Sequence, residues 1–169
     1  MKTSKTKLFA LLFLISMAFG CEEDDGPDFE TVPFEANFFT VLSGLEENAG
    51  GCSAPMNFLN TQEGNGSATL LGDFTTSITF CVDLNTLAYG NGQGSFVGNN
   101  GDEIFFEGGG QIKPSDKPGY NLEFQDAFTI TGGTGQFVGA TGQLTTDSYV
   151  NMTTQQTDHV WSGTITVRK

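Results

Sequence analysis

From Pro33 to Lys169 the chain alternates apolar and polar residues in short runs. No stretch places apolar residues at i, i+3, i+4 and i+7, the spacing that an amphipathic helix needs. In the segment 74–82, Phe74, Ile78, Phe80 and Val82 share one face. Thr75, Ser77, Thr79 and Cys81 share the other, and Thr76 is the polar residue on the apolar side. Segments 34–42, 104–107, 120–130 and 160–167 read as further half-buried strands; in the last, Trp161, Ile165 and Val167 line up. Between them, Gly64-Asn65-Gly66, Gly90-Asn91-Gly92, Asn99-Asn100-Gly101-Asp102 and Gly132-Gly133 carry turn chemistry that supplies positive φ. Segment 44–60 has weaker periodicity and reads as a long loop pinned by Cys52. Short strands without intervening helix predict an all-β domain, an antiparallel barrel or sandwich.

The first 21 residues follow a different pattern. Lys2, Lys5 and Lys7 precede an apolar run over 8–19, and Gly20-Cys21 closes it. The run falls in the signal-peptide range and is too short to span a bilayer. Ala18-Phe19-Gly20-Cys21 resembles the lipobox of bacterial lipoproteins, although Ala18 stands where a leucine is usual. That resemblance implies a signal peptide over 1–20, cleavage before Cys21 and lipidation of its thiol; the alternative is an ordinary secretory peptide cut nearby. Glu22-Glu23-Asp24-Asp25 follows at once and opens an acidic tether over 21–32, ahead of a single domain over 33–169. An acidic run after the cysteine resembles the signal that exports Bacteroidota lipoproteins to the outer face of the outer membrane. The expected location is therefore the cell envelope, with the membrane as a partner through the lipid.

Charge narrows the partners. The chain has 7 basic and 20 acidic side chains, a net charge of -13. Loss of residues 1–20 leaves 4 basic residues and a net charge of -16. Nucleic acid is excluded as a partner, because its binding needs a basic footprint. Anionic head groups repel such a body, so the acyl chains carry the anchoring. With Cys21 lipidated, Cys52 and Cys81 remain as an even pair in an oxidising compartment and are expected to form a disulfide; two buried free thiols are the alternative.

An internal echo joins two segments 41 residues apart. Residues 92–101 (Gly-Gln-Gly-Ser-Phe-Val-Gly-Asn-Asn-Gly) match 133–142 (Gly-Thr-Gly-Gln-Phe-Val-Gly-Ala-Thr-Gly) at six of ten positions. Each reads as a short strand that inserts one phenylalanine, Phe96 or Phe137, into the core, with flanking glycines that let the backbone bend. Segment 131–142 also resembles the Gly-Gly-Thr-Gly-x-Phe-x-Gly-Ala-x-Gly signature of the allene oxide cyclase and dirigent-like barrels. Segments 66–74 and 100–106 resemble earlier strands of their small bacterial relatives. The resemblance covers roughly residues 64–168. It implies a closed or nearly closed antiparallel β-barrel of about eight strands, with no substantial helix after the signal peptide. Trimers among the plant relatives leave a homo-oligomer open. The functional residues of that superfamily match no position here, and Arg168 is the only arginine.

Candidate chemistry is sparse. Gly133-x-Gly135-x-x-x-Gly139 has the wrong last spacing for a dinucleotide loop and lies among strands, so no cofactor is expected. His159 beside Asp158 points to the opposite face from its neighbour and reads as an exposed residue at a strand start. Asp102-Glu103 lacks the alternating oxygen ligands of a calcium loop and reads as a hairpin, so no metal is expected. No pair of acids is singled out for glycoside hydrolysis, and no catalytic residue is assigned. The many phenylalanines either fill the barrel or wall a small apolar site, for which Tyr89, Tyr120 or Tyr149 could supply polar groups. Two functions follow: a non-enzymatic, lipid-anchored binding or surface-interaction module, or a cyclase- or isomerase-like barrel acting on a small hydrophobic substrate.

Overall fold

A computed structural model describes residues 26–169; the signal segment, Cys21 and the acidic run 22–25 lie outside the described residues. Ten strands form one antiparallel sheet: β1 (Phe29–Glu47), β2 (Phe58–Ala68), β3 (Gly72–Val82), β4 (Ala88–Gly98), β5 (Glu103–Gln111), β6 (Lys113–Pro114), β7 (Leu122–Phe124), β8 (Ala127–Gly133), β9 (Thr141–Asn151) and β10 (Gln156–Arg168). Each strand from β1 to β4 pairs with the next, β5 pairs with β8, β8 with β9, β9 with β10, and β10 with β1. The sheet thus closes on itself as an eight-stranded barrel, and no edge is left along the circuit. The two short strands belong to the same circuit. β7 and β8 share one register against β9, Leu122 facing Val150 and Ala127 facing Thr145, so they are halves of one strand interrupted at Gln125-Asp126. β6 continues β5 in the same way, facing β7.

Strand β1 begins at Phe29, inside the segment read as tether, and Phe29 to Val32 pair with Arg168 to Ile165. It also runs on to Glu47, so the loop expected over 44–60 shrinks to 48–57. Pairing with β10 at its start and with β2 at its end holds it extended where its own alternation is weak.

The interior is packed with rings. Phe96 and Phe137 are 0% and 1% exposed. Phe96 lies within 6.4 Å, centroid to centroid, of Phe34, Phe38, Phe74, Phe106 and Trp161. Phe74, Ile78, Phe80 and Val82 point inward as the alternation predicts, and the intruding Thr76 donates its hydroxyl to the Ser95 carbonyl oxygen at 2.8 Å.

The two copies of the echo bury the same phenylalanine by different means, which corrects the expectation of two equivalent strands. The first copy lies in β4, where Gly92, Gly94, Phe96 and Gly98 all sit at inward positions. Its glycines make room rather than turns: a Cβ on Gly94 would come within 2.7 Å of the Phe106 ring. The second copy leaves the sheet as a 3-10 turn (Gly135–Phe137), with Gly135 and Gly139 at φ of 54° and 77°. Gly64-Asn65-Gly66 likewise lies within β2, paired on both sides; the β2–β3 turn falls later, at Thr69–Leu71. Asn99-Asn100-Gly101-Asp102 does form the turn between β4 and β5.

Cys52 and Cys81 form a disulfide, with Cα atoms 5.4 Å apart. Cys81 sits on the outer face of β3, so the bridge folds the loop 48–57 back against the barrel wall.

Candidate functional site

The two ends of the barrel differ. At one end, which also receives the chain at Asp28 and returns it at Lys169, Phe137, Ala140, Ile165 and Leu71 close the interior. The opposite end is ringed by the loop 48–57 and by the connections 83–87, 112–121 and 152–155. There the barrel widens into a cup of about 250 Å³.

Strands β1, β2, β3, β7, β9 and β10 and the connections at this end contribute to the cup. Strand β1 supplies Leu42 and Leu45; β3 supplies Phe80 and Val82; the β3–β4 turn supplies Leu84 and Leu87. Ile112, Leu122, Phe124, Val150 and Met152 complete the apolar wall. Four polar residues interrupt it, Asn60 and Gln62 from β2, Gln155 from the β9–β10 turn and Thr157 from β10. None of the lining residues is ionisable. The rim is unusually apolar for a surface: Leu45, Leu84 and Met152 are 44%, 47% and 61% exposed.

Beneath the cup floor lies a polar layer. The floor is shared by Phe80, Phe124 and Gln62, which line both the cup and a small internal void of about 20 Å³ below it. That void has room for one water molecule. Around it, Thr40 hydrogen-bonds Gln62 Oε1 at 2.6 Å and His159 Nε2 at 2.9 Å. His159 Nδ1 meets Ser148 Oγ at 2.7 Å, and Trp161 Nε1 donates to the same Ser148 Oγ at 3.1 Å. His159 stacks on Phe38, ring centroids 4.2 Å apart.

His159 is therefore 7% exposed and inside the barrel, not at an exposed strand start. The signal was present in the sequence. His159 has the same parity as Trp161, Ile165 and Val167, so the face that buries those three buries the histidine as well. Burial pushes its pKa from 6.5 down to about 3, against the partial pull of the Asp158 carboxylate. It stays neutral at physiological pH.

The three tyrosines part company. Tyr89 is buried and donates to Asp126 Oδ2 at 3.0 Å; burial, then the Asp126 charge, raises its pKa. This bond pins the interruption between β7 and β8, where Asp126 also accepts the Gln111 amide at 3.3 Å. Tyr120 and Tyr149 lie outside the barrel, their rings 5.5 Å apart with the Lys117 ammonium 3.7 Å from the Tyr149 centroid. Tyr120 donates to Asp158. Burial works to raise the Asp158 pKa, but the hydrogen bonds from Tyr120 and Gln156 outweigh it and hold the carboxyl below its usual value. None of the three tyrosines opens into the cup. Asp102 holds its own turn by accepting from Asn100 Nδ2 at 3.0 Å, and the Glu103 backbone amide donates to Thr134 Oγ1 at 2.9 Å. Among the described residues no three His, Cys, Asp or Glu side chains come together as a metal site.

No family model matches the chain, and no curated protein matches it significantly. Among solved structures it is similar to the pterocarpan synthase dirigent protein GePTS1, with a TM-score of 0.57 and 16% identity over 85% of this chain and 94% of that one. At this identity the likeness is one of fold. The chain has a dirigent-type barrel, as its glycine-rich segment 131–142 implies.

Proposed function

We propose that the chain is a lipid-anchored cell-envelope binding module that holds a small apolar ligand in the cup at the open end of its barrel. The observation that carries this reading is the cup itself. About 250 Å³ of concave space with apolar walls and a few polar groups is the usual make-up of a small-molecule site. The wall has no ionisable side chain, whereas a cyclase or isomerase needs an acid or base within reach of the substrate. The buried His159 lies behind Gln62 and does not line the cup. Binding without chemistry fits this arrangement better than the cyclase-like alternative.

The course of the chain supports a consistent orientation. Strand β1 enters at the closed end and reaches the cup only at Leu42 and Leu45. A lipid on Cys21 would hold the closed end toward the membrane and turn the cup away from it. The experiment is titration with N-phenyl-1-naphthylamine, a neutral dye whose fluorescence rises in apolar surroundings. We expect saturable binding that is lost in Val150→Trp, which fills the cup without touching the ring-packed half. Equal dye binding by a folded Val150→Trp variant would show that the cup is not the site.

A further inference from the structure

The cup floor presents one hydrogen-bond donor, and the polar layer beneath determines that it is a donor. Trp161 Nε1–H can only donate, and it donates to Ser148 Oγ. The Ser148 hydroxyl then has its own proton to place, and His159 Nδ1 at 2.7 Å accepts it. With Nδ1 as acceptor, the neutral ring carries its proton on Nε2 and donates to Thr40 Oγ1. Thr40 in turn donates to Gln62 Oε1 at 2.6 Å. Running the chain the other way leaves the Ser148 proton with no acceptor among these groups, an expense in a buried layer. The direction from Trp161 to Gln62 satisfies every member.

With its oxygen engaged by Thr40, the Gln62 side chain has Nε2 left to offer. That nitrogen donates to no group among the described residues, and Gln62 is the sole polar residue common to the cup and the void. The side chain is held by burial, at 8% exposure, and by the Thr40 bond. From this we infer that the cup selects a neutral apolar ligand whose leading end carries a carbonyl oxygen, received by the Gln62 amide. Neutrality follows from the wall: a ligand carboxylate would lose its hydration with no cation to meet it, on a chain of net charge -13. This inference rests on the cup being a binding site and adds the chemistry of what enters it.

The test uses a matched pair, hexylbenzene and hexanophenone, which share one skeleton and differ by a carbonyl in place of one methylene. Each displaces N-phenyl-1-naphthylamine from the wild-type protein and from Gln62→Leu. A ketone loses more hydration than the hydrocarbon on entering the cup, so the informative quantity is the change in their affinity ratio between the two proteins. We expect the relative preference for hexanophenone to fall roughly two- to tenfold in Gln62→Leu, the worth of one net hydrogen bond. An unchanged ratio overturns the carbonyl inference and leaves the cup as a site; failure of both compounds to displace the dye overturns both. A second measurement needs no variant. His159 is the only histidine, so its ring nitrogens are assigned without ambiguity in nitrogen-detected NMR. A proton on Nε2 and a bare Nδ1 are expected; a proton on Nδ1 would reverse the chain and refute the donor at the floor.

Discussion

Between pH 7 and pH 5, acid should destabilise this barrel through His159. His159 is held neutral by burial, with a pKa near 3 against 6.5 for the free side chain. Between these values the unfolded chain binds a proton that the folded chain refuses, so stability rises with pH across the interval and falls as pH drops below 6.5. From pH 7 to pH 5 the loss works out at about 2 kcal/mol, and further acidification adds about 1.4 kcal/mol per pH unit until the folded-state value is approached. The figure at pH 5 depends little on the folded pKa, provided it lies well below 5. The window is also clean. Asp83 and Asp158, the carboxylates held below their ordinary value, lose their contribution only as pH falls through the acid range beneath it. Urea unfolding of the wild type and of His159→Gln at pH 7, 6 and 5 isolates the effect. The variant should be less stable at pH 7, since Thr40 and Ser148 lose a partner, but the gap should narrow by about 2 kcal/mol at pH 5. A constant gap would refute the argument. NMR titration of the histidine ring in the wild type gives an independent reading: its shifts should stay flat from pH 7 to pH 5, and a midpoint near 6.5 would place the ring in solvent.

Four further outcomes are expected. Phe96→Ala and Phe137→Ala should each cost about 3–5 kcal/mol in chemical denaturation despite their different backbone settings, because both rings are fully buried; wild-type stability in either would contradict the packed end. Gly94→Ala should cost about 1–3 kcal/mol, since its Cβ would sit 2.7 Å from the Phe106 ring, and unchanged melting would show that the wall yields there. Replacing both Cys52 and Cys81 by Ala should lower stability by about 3–4 kcal/mol by the loop-closure estimate, read as a lower melting temperature that reductant then leaves unchanged. Cys21→Ala should release the protein from membranes after a high-salt wash; continued fractionation with membrane would dismiss lipidation at that residue.

Period-two alternation and the absence of any helical stripe settle the all-β class, because side chains on a strand face alternate sides whatever the strand pairs with. They also placed Phe74, Ile78, Phe80 and Val82 in the interior, and an even cysteine count after Cys21 paired Cys52 with Cys81. What the sequence left undecided depends on partners distant along the chain. Gly64 and Gly66 have the composition of a turn but lie in mid-strand, since β1 and β3 supply hydrogen bonds on both sides. Equal Phe-Val segments became a strand and a 3-10 turn, since Gly94 faces the Phe106 ring while Gly135 adopts a left-handed backbone beside Asp102. The fate of His159 was legible by parity with Trp161, but its hydrogen-bond partners Thr40 and Ser148 come from β1 and β9, 119 and 11 residues away. Whether the barrel is full or hollow had no local signature at all. Closure answers it both ways: ring packing fills one half, and at the other the loops stand apart and leave an apolar cup whose residues meet only because the sheet closes.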